Sequence, residues 1–454
     1  MSKIPNTRPA TIAIKNGTLI TMNPAREIVQ TDIFIEDGRI KKIGTADSPP
    51  DIEIDATDKT ILPGFIQTHT HLCQTLFRNQ ADDLSLLDWL EKRIWPLEMS
   101  HDENSITISA QLGIAELFKG GTTTILDMGT IHFTDYIFQT AQTSGIRAII
   151  GKALMDNSIG VSEKYREPTR LALEEVHRLI HDWHGQADNR LQFALTPRFL
   201  LSCSLELFQE LKVLSEEKGL LIHTHAAESK KEIEIIAKQS GLRNIEYLHH
   251  HGVTGPRLCL AHCIWLEDDE IEILKRTHTK VLHCPSSNLK LASGLAKVPE
   301  MLARGINVTL GADGAPCNNN LNIFIEMRLA SLLQKYRLAD PAVMNAQKLV
   351  EMATIDGAYA LGLEQEIGSL EVGKKADLII LNLDQIHSLP AANYYSQIVY
   401  AASPENVETV IVDGKIVMRN RELQTLDETK IIEQAKSEMK RIVAKIQYGI
   451  KENK

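Results

Sequence analysis

Apolar positions along this chain follow two rhythms that alternate. Short β-type runs recur eight times through its middle, at 61–71, 122–127, 147–155, 191–197, 220–225, 258–263, 280–284 and 307–312. Between them, segments such as 105–118, 205–218 and 323–333 place apolar side chains every three or four residues, the stripe of a helix packed on a sheet. Alternation of this kind builds parallel sheets. Eight such units predict a (β/α)₈ TIM barrel over residues 63–365, with an open doubly wound sheet as the competing arrangement.

The two ends of the chain read differently. Asp37-Gly38 and Asp413-Gly414 each stand between short β-branched runs. An Asp-Gly pair supplies the positive φ angles that a two-residue hairpin turn requires. Further strand-like runs lie at 11–14, 19–22 and 377–381. The expectation is a second, smaller β-sandwich domain formed from both chain ends, residues 1–62 and 366–454. A C-terminal helix with Ile432, Ala435, Met439, Ile442 and Ile446 at helical spacing would complete it and pack back on the body. The stretch 82–95, with Leu86, Leu87, Trp89, Leu90 and Trp95, serves either as a roof over a pocket or as ordinary core.

Composition narrows the partners. Acidic residues outnumber basic ones, 59 against 49, and the net charge of -10 offers no basic stripe for phosphates, so nucleic acid is not an expected partner. The N-terminal stretch lacks the apolar core of a secretory signal, and no run approaches the roughly 18 apolar residues of a membrane span. A cytoplasmic protein without membrane contact is expected. Six cysteines without a C-x-x-C pair read as reduced thiols.

In a parallel barrel the reactive groups gather at the C-terminal ends of the strands. The first run ends His69-Thr-His71, and alternate side chains share a face, so both imidazoles can point into the barrel mouth. The fifth ends His223-Thr-His225, with His223 one layer deeper; the sixth holds His262, and the eighth runs into Asp313. A lone His-x-His among 16 histidines is usually accidental. Ligand types at four strand ends have no packing explanation. Imidazoles with a carboxylate suit one divalent ion, Zn²⁺ first, with Fe²⁺ acceptable to the same donors. The fourth run, 191–197, contains no lysine that could be carboxylated to bridge two ions, and Lys152 on the third is expected to support packing or a neighbouring carboxylate. His249, His250 and His251 read as a solvated cluster and His283 as a satisfied core histidine.

Several stretches carry a resemblance. They are Pro63-Gly-Phe-Ile-Gln-Thr-His69-Thr-His71, Ala81-Asp-Asp-Leu with Trp95-Pro-Leu-Glu98, His225-Ala-Ala-Glu228, His283-Cys-Pro-Ser-Ser-Asn288, Gly311-Ala-Asp313-Gly314, and Ile367-Gly-Ser-Leu-Glu-Val-Gly373-Lys-Lys-Ala-Asp377. Together they resemble the amidohydrolase superfamily, in the branch of methylthioadenosine/S-adenosylhomocysteine deaminases, guanine deaminases and triazine hydrolases. The resemblance implies a metal set of His69, His71, His225 and Asp313, with Glu228, His262 and Asp313 handling protons. For substrate binding it points to Gln74, Glu98, Arg198 and Phe199. Arg198 and Phe199 look like guanine deaminases, whereas Gly314-Ala-Pro-Cys317-Asn-Asn-Asn320 looks like the adenosine-type and triazine members. What is implied is a hydrolytic deaminase that releases ammonia from a small amino-substituted N-heterocycle, a guanine-like base or a 5′-modified adenosine. A triazine-type hydrolase and an inactive scaffold on the same fold are the alternatives. A homo-oligomer, dimer or larger, is the implied assembly.

Overall fold

The structure, a computed structural model, describes residues 10–157 and 163–452, and expectations that fall on other residues lie outside it. Five strands come first: β1 Ile12–Ile20, β2 Ile28–Glu36, β3 Arg39–Ile43, β4 Ile52–Asp55 and β5 Thr60–Pro63. The predicted runs 11–14 and 19–22 are one strand, β1, because the irregularity between them is a bulge between Ile14 and Gly17 with Asn16 at φ 64°. The predicted run 61–71 is two strands. Its first part is β5 in the end sheet, and the chain then turns at Gly64, where a Cβ would lie 2.1 Å from the Thr123 methyl group.

The eight barrel strands follow: β6 Phe65–Thr70, β7 Thr122–Thr130, β8 Arg147–Leu154, β9 Leu191–Pro197, β10 Ile222–Ala226, β11 Leu258–His262, β12 Lys280–His283 and β13 Val308–Leu310. They form one sheet in sequential order, parallel throughout. The first and last strands meet where Asp313 N donates to His69 O at 3.0 Å and Thr68 Oγ1 donates to Leu310 O at 3.1 Å. This is the predicted barrel. Ile66, Leu126, Ile149, Ala194, Cys259 and Leu282 form an apolar cluster with Ala358 and Leu361. The helix predicted at 205–218 spans Leu205–Lys218, capped by Ser204, whose hydroxyl accepts from Leu207 N, and ended by Gly219 at φ 71°.

Four more strands complete the end sheet: β14 Leu378–Leu381, β15 Val407–Val412, β16 Lys415–Arg419 and β17 Glu422–Leu423. β14 pairs antiparallel with β5, joining the two ends of the chain in one nine-stranded mixed sheet. Backbone bonds from Ile40 N to Lys374 O and from Ala376 N to Gly38 O bring β3 onto the run into β14. The sheet thereby encloses its own aliphatic core, including Ile12, Ile14, Ile33, Ile35, Ile380 and Ile411. Both Asp-Gly turns have the predicted positive φ values, 51° and 76° at Asp37 and Gly38, 52° and 71° at Asp413 and Gly414. They also pack on each other, since a Cβ on Gly414 would fall 2.5 Å from Gly38 Cα.

The final helix, Glu428–Glu452, buries Ile431 and Ile442 and packs Ala435 and Met439, but leaves Ile432 42% exposed. Both isoleucines stand at helical spacing from Ala435, so periodicity alone did not choose between them. The side chain of Ile446 lies outside the described residues. Lys152 is buried against Glu167 at 2.8 Å and Glu175 at 3.0 Å, the carboxylate-supporting role expected. All six cysteines are buried and free. Among the described residues no helix is long and apolar enough to cross a membrane.

A buried ion pair joins barrel and end sheet. Arg147, at the start of β8, donates from Nε to Asp377 Oδ2 at 2.6 Å and from Nη2 to Oδ1 at 3.0 Å, and Asp413 N donates to the same Oδ1 at 2.7 Å. Removing one partner of such a pair strands the other charge in the interior. Asp377→Ala is therefore expected to lower the unfolding free energy by about 3–5 kcal/mol in denaturant titrations. A loss below about 1 kcal/mol would show that the pair does not hold the two sheets together.

Candidate metal centre and active site

Four side chains from three places in the barrel converge. His69 Nε2 lies 3.2 Å from Asp313 Oδ1, and His71 Nε2 lies 3.3 Å from the same oxygen and 3.3 Å from His225 Nε2. One ligand atom from each of His69, His71, His225 and Asp313 falls within 4.8 Å of the others. The remaining ring nitrogens are occupied in ways that turn the Nε2 atoms inward. His225 Nδ1 donates to Arg198 O at 2.6 Å, and His69 Nδ1 bonds His223 Nε2 at 2.7 Å. His69 Nε2 is left buried without a hydrogen-bond partner. His223 thus sits one layer deeper than His225, as the alternation along β10 predicts.

The electrostatics keep these groups in ligand form. Burial, followed by the positive character of neighbouring rings, pushes His225 well below the usual histidine range, and burial also lowers His69 and His71. Burial works against the charge of Asp313, but His69 and His71 hold its carboxyl well below the usual range. Asp313 sits in the left-handed region at φ 63°, and its Oδ2 accepts from the Ser287 hydroxyl at 2.6 Å. The result is neutral imidazoles facing an ionised carboxylate. Their spacing matches the roughly 3.3 Å between donors of a tetrahedral ion with bonds of about 2.0–2.1 Å. Three imidazole nitrogens and a carboxylate gathered together in a dry interior also need a cation between them. The residues fit the divalent ion that this donor set implies.

The proton-handling candidates stand beside it. His262 Nδ1 donates to Asn288 Oδ1 at 2.8 Å, leaving Nε2 facing Glu228 Oε2 at 3.5 Å and Asp313 Oδ2 at 3.9 Å. Burial and the nearby Asp313 charge raise the Glu228 carboxyl well above the usual range. Glu228 therefore holds its proton far more tightly than Asp313 beside it. Two carboxyls with opposed shifts in one cleft are the signature of an acid and a base.

A cleft opens on these groups. His71, His225, Glu228, His262 and Asp313 line one wall; Gln74, Arg198 and Phe199 also line it. Leu86, Trp89 and Leu90 also line it while packing into the main core with Ile94 and Trp95, so the stretch 82–95 serves both as pocket lining and as core. Glu98 is not in the wall. It lies behind Arg198, which donates from Nη1 to Oε2 at 2.6 Å and from Nη2 to Oε1 at 3.1 Å, while Gln74 Nε2 donates to Oε1 at 2.8 Å. Burial opposes the Glu98 charge, yet Arg198 holds the carboxyl below its usual range. His71, Cys73 and Glu98 also lie close enough for a second ion, but the guanidinium already neutralises Glu98, and burial and Glu98 keep the Cys73 thiol protonated.

Several supporting groups were not singled out from sequence. Asp127, inside β7, accepts from Leu72 N at 2.7 Å and Thr70 Oγ1 at 3.1 Å, fixing the turn after His71. Ser287 and Asn288 lie in the stretch after His283, whose pattern already suggested the site. His283 departs from expectation: it is buried, and neither ring nitrogen has a partner. A wider cleft lies at the far end of the barrel, beside Ile306 and Asn307. Its Arg26 and Lys348 are already paired with Glu351 and Asp356, and no buried acid–base set converges there.

Comparison with known proteins places this geometry in context. The model of the amidohydrolase family matches residues 60–417. A 5′-deoxyadenosine deaminase of Methanothermobacter thermautotrophicus is 42% identical over 407 residues, 89% of this chain and 93% of that protein. A 5-methylthioadenosine/S-adenosylhomocysteine deaminase of Syntrophomonas wolfei is 40% identical over 439 residues, 96% of this chain and 100% of that one. Among solved structures, an adenosine deaminase from Xanthomonas campestris with bound zinc superposes with a TM-score of 0.90 at 29% identity, covering 96% of this chain and 99% of that one.

The Glu98–Arg198 pair makes a separable prediction. Glu98→Ala leaves a buried guanidinium unpaired and is expected to destabilise the fold by about 3–5 kcal/mol, whereas the double change Glu98→Leu with Arg198→Met is expected to cost markedly less. Denaturant unfolding of the wild type and these two variants checks this; a double variant destabilised as much as Glu98→Ala would mean the two side chains do not act as a pair.

Proposed function

The chain belongs to the amidohydrolase family, and from that premise we propose that it is a metal-dependent aminohydrolase that replaces the amino group of a purine by oxygen and releases ammonia. The observation that carries this reading is the buried Glu228 carboxyl lining the same cleft as four converging metal-ligand side chains. His69, His71, His225 and Asp313 would hold the ion, Zn²⁺ first and Fe²⁺ as the other acceptable occupant. The chemistry such an ion supplies when bound is the acidification of a water toward a pKa of about 7.

The residues account for the rest. His262 Nε2 and Asp313 Oδ2, 3.9 Å apart, are placed to accept the proton released as water adds to the ring carbon. Glu228 delivers its proton to the adjacent ring nitrogen, so negative charge does not build up on the heterocycle. The amino nitrogen takes up the proton given to the acceptors and departs as ammonia as the C–N bond breaks, and the new hydroxyl gives its proton back to the Glu228 carboxylate, leaving the carbonyl. Arg198, Phe199, Gln74, Trp89 and Leu90 orient the ring, and Glu98 holds the guanidinium of Arg198 in place.

For the substrate, the named relatives support a 5′-modified adenosine. A specific observation favours a second reading, a guanine-like base. Arg198 stands in the cavity wall with donors fixed by Glu98, an arrangement that suits a carbonyl oxygen, and Glu98 is already engaged and so is not free to accept from ribose hydroxyls.

Ammonia release from 5′-deoxyadenosine, 5′-methylthioadenosine, S-adenosylhomocysteine, adenosine and guanine tests both readings. Release from the adenosine derivatives is expected; release from guanine alone would select the second reading, and none from any of the five would contradict the proposal. Glu228→Gln is expected to lose at least about 10²-fold in kcat with the metal retained, the usual contribution of a general acid. Near-normal turnover would remove Glu228 from the reaction.

A further inference from the structure

After β10 the chain takes an unusual turn. Ala227 lies in the left-handed region at φ 51°, held there by Ile264 N and Trp265 N, which donate to Ala227 O at 3.0 and 3.1 Å. Such a conformation is costly for a residue with a Cβ and persists only where the surroundings enforce it. It leads directly into Glu228. The backbone N–H of Glu228 donates to Glu232 Oε2 at 3.0 Å.

The local sequence makes that bond informative. Ser229 caps the helix Lys230–Ser240, its hydroxyl accepting from Glu232 N at 3.2 Å. Ser229-x-x-Glu232 is the spacing of a capping box, in which the glutamate reaches back to the amide of the capping residue itself. Glu232 instead reaches one residue further, to the amide of Glu228, and is only 1% exposed. Burying a carboxylate is expensive unless the bonds it makes require it there. Burial, with Glu228 nearby, pushes its carboxyl up to about 8.

Its other oxygen is anchored as well. Asn244 Nδ2 donates to Glu232 Oε1 at 2.6 Å. Asn244 opens the helix Asn244–His250, whose start is held by Glu270, which accepts from Arg243 Nε at 2.8 Å and Ile245 N at 3.1 Å. A continuous run of bonds therefore ties a rigid part of the barrel to the Glu228 amide. A helix cap alone would need none of this burial.

We infer that Glu232 is a positioning residue: its buried carboxyl holds the Glu228 backbone in the turn that keeps the Glu228 side chain aimed at His262 and the substrate cavity. The inference rests on Glu228 as the proton donor. Glu232→Met keeps the length but cannot accept a hydrogen bond, and Glu232→Asp keeps the carboxyl group but falls short of the Glu228 amide. Glu232→Gln can accept from Glu228 with its carbonyl and donate to Asn244 Oδ1, which has no partner at present, once that amide turns over.

Two measurements decide it: amide hydrogen exchange of segment 226–230 by mass spectrometry, and kcat and KM for 5′-deoxyadenosine, or for the fastest substrate of the ammonia panel. The Met and Asp variants are expected to exchange faster in that segment and to lose about tenfold or more in kcat, with KM within about twofold and metal content unchanged, as misplacement of a catalytic group costs rate before binding. Glu232→Gln is expected to restore both readouts to within about threefold of wild type. Native exchange and kcat in Met and Asp, a loss confined to KM, or a Gln variant as impaired as Met would overturn the inference. If the wild-type protein released no ammonia at all, the functional reading would fail, and the exchange data alone would still decide whether Glu232 holds the turn.

Discussion

Unshared electron pairs directed at one point in a dry interior are the constraint around which this molecule is arranged. The His69 and His71 nitrogens at the end of β6 lie 3.2 and 3.3 Å from a carboxylate oxygen just after β13, and the His225 nitrogen of β10 lies 3.3 Å from that of His71. Without a positive centre between them, that arrangement would be repulsive and poorly hydrated. The rest of the site serves to keep it in place. The carbonyl of Arg198 accepts from His225, His223 bonds His69, and Ser287 bonds Asp313, so these three ligands are each held on the far side by a partner that fixes its orientation.

The cavity above follows from the same economy. The Asp313 carboxyl lies well below the usual range, whereas burial near Asp313 raises that of Glu228 well above it. Opposed shifts of this kind in one cleft are what an acid–base pair requires. Arg198 has a double role: its backbone orients His225, and its side chain, braced by Glu98, presents donors to the cavity. The named relatives act on adenosine derivatives, and the braced arginine is the feature that bears most directly on which ring this chain accepts.

Much of this was legible in the sequence for a physical reason. Parallel barrel strands are short apolar runs that end where polar groups begin, so His69-Thr-His71, His223-Thr-His225 and Asp313 announce both the strand ends and the chemistry. The Asp-Gly turns were equally plain, because positive φ at two successive positions demands particular residues. What the pattern did not resolve were features decided by tertiary contact. Gly64 divides one apolar run between two sheets because Thr123 leaves no room for a side chain. Ile431 and Ile432 both fit the helical period, and only the packed body selects Ile431. The engagement of Glu98 by Arg198 joins residues from distant segments, and no spacing rule announces it. Glu232 looks in sequence like an ordinary helix cap.

The central claim is that one cation is bound by His69, His71, His225 and Asp313. Anomalous diffraction from crystals of the purified protein, recorded on both sides of the zinc and iron absorption edges, tests it most directly. A single peak within bonding distance, about 2.0–2.2 Å, of all four side chains is the result this account predicts. No peak at that point in protein purified without chelators, or an ion bound elsewhere in the barrel, would contradict it.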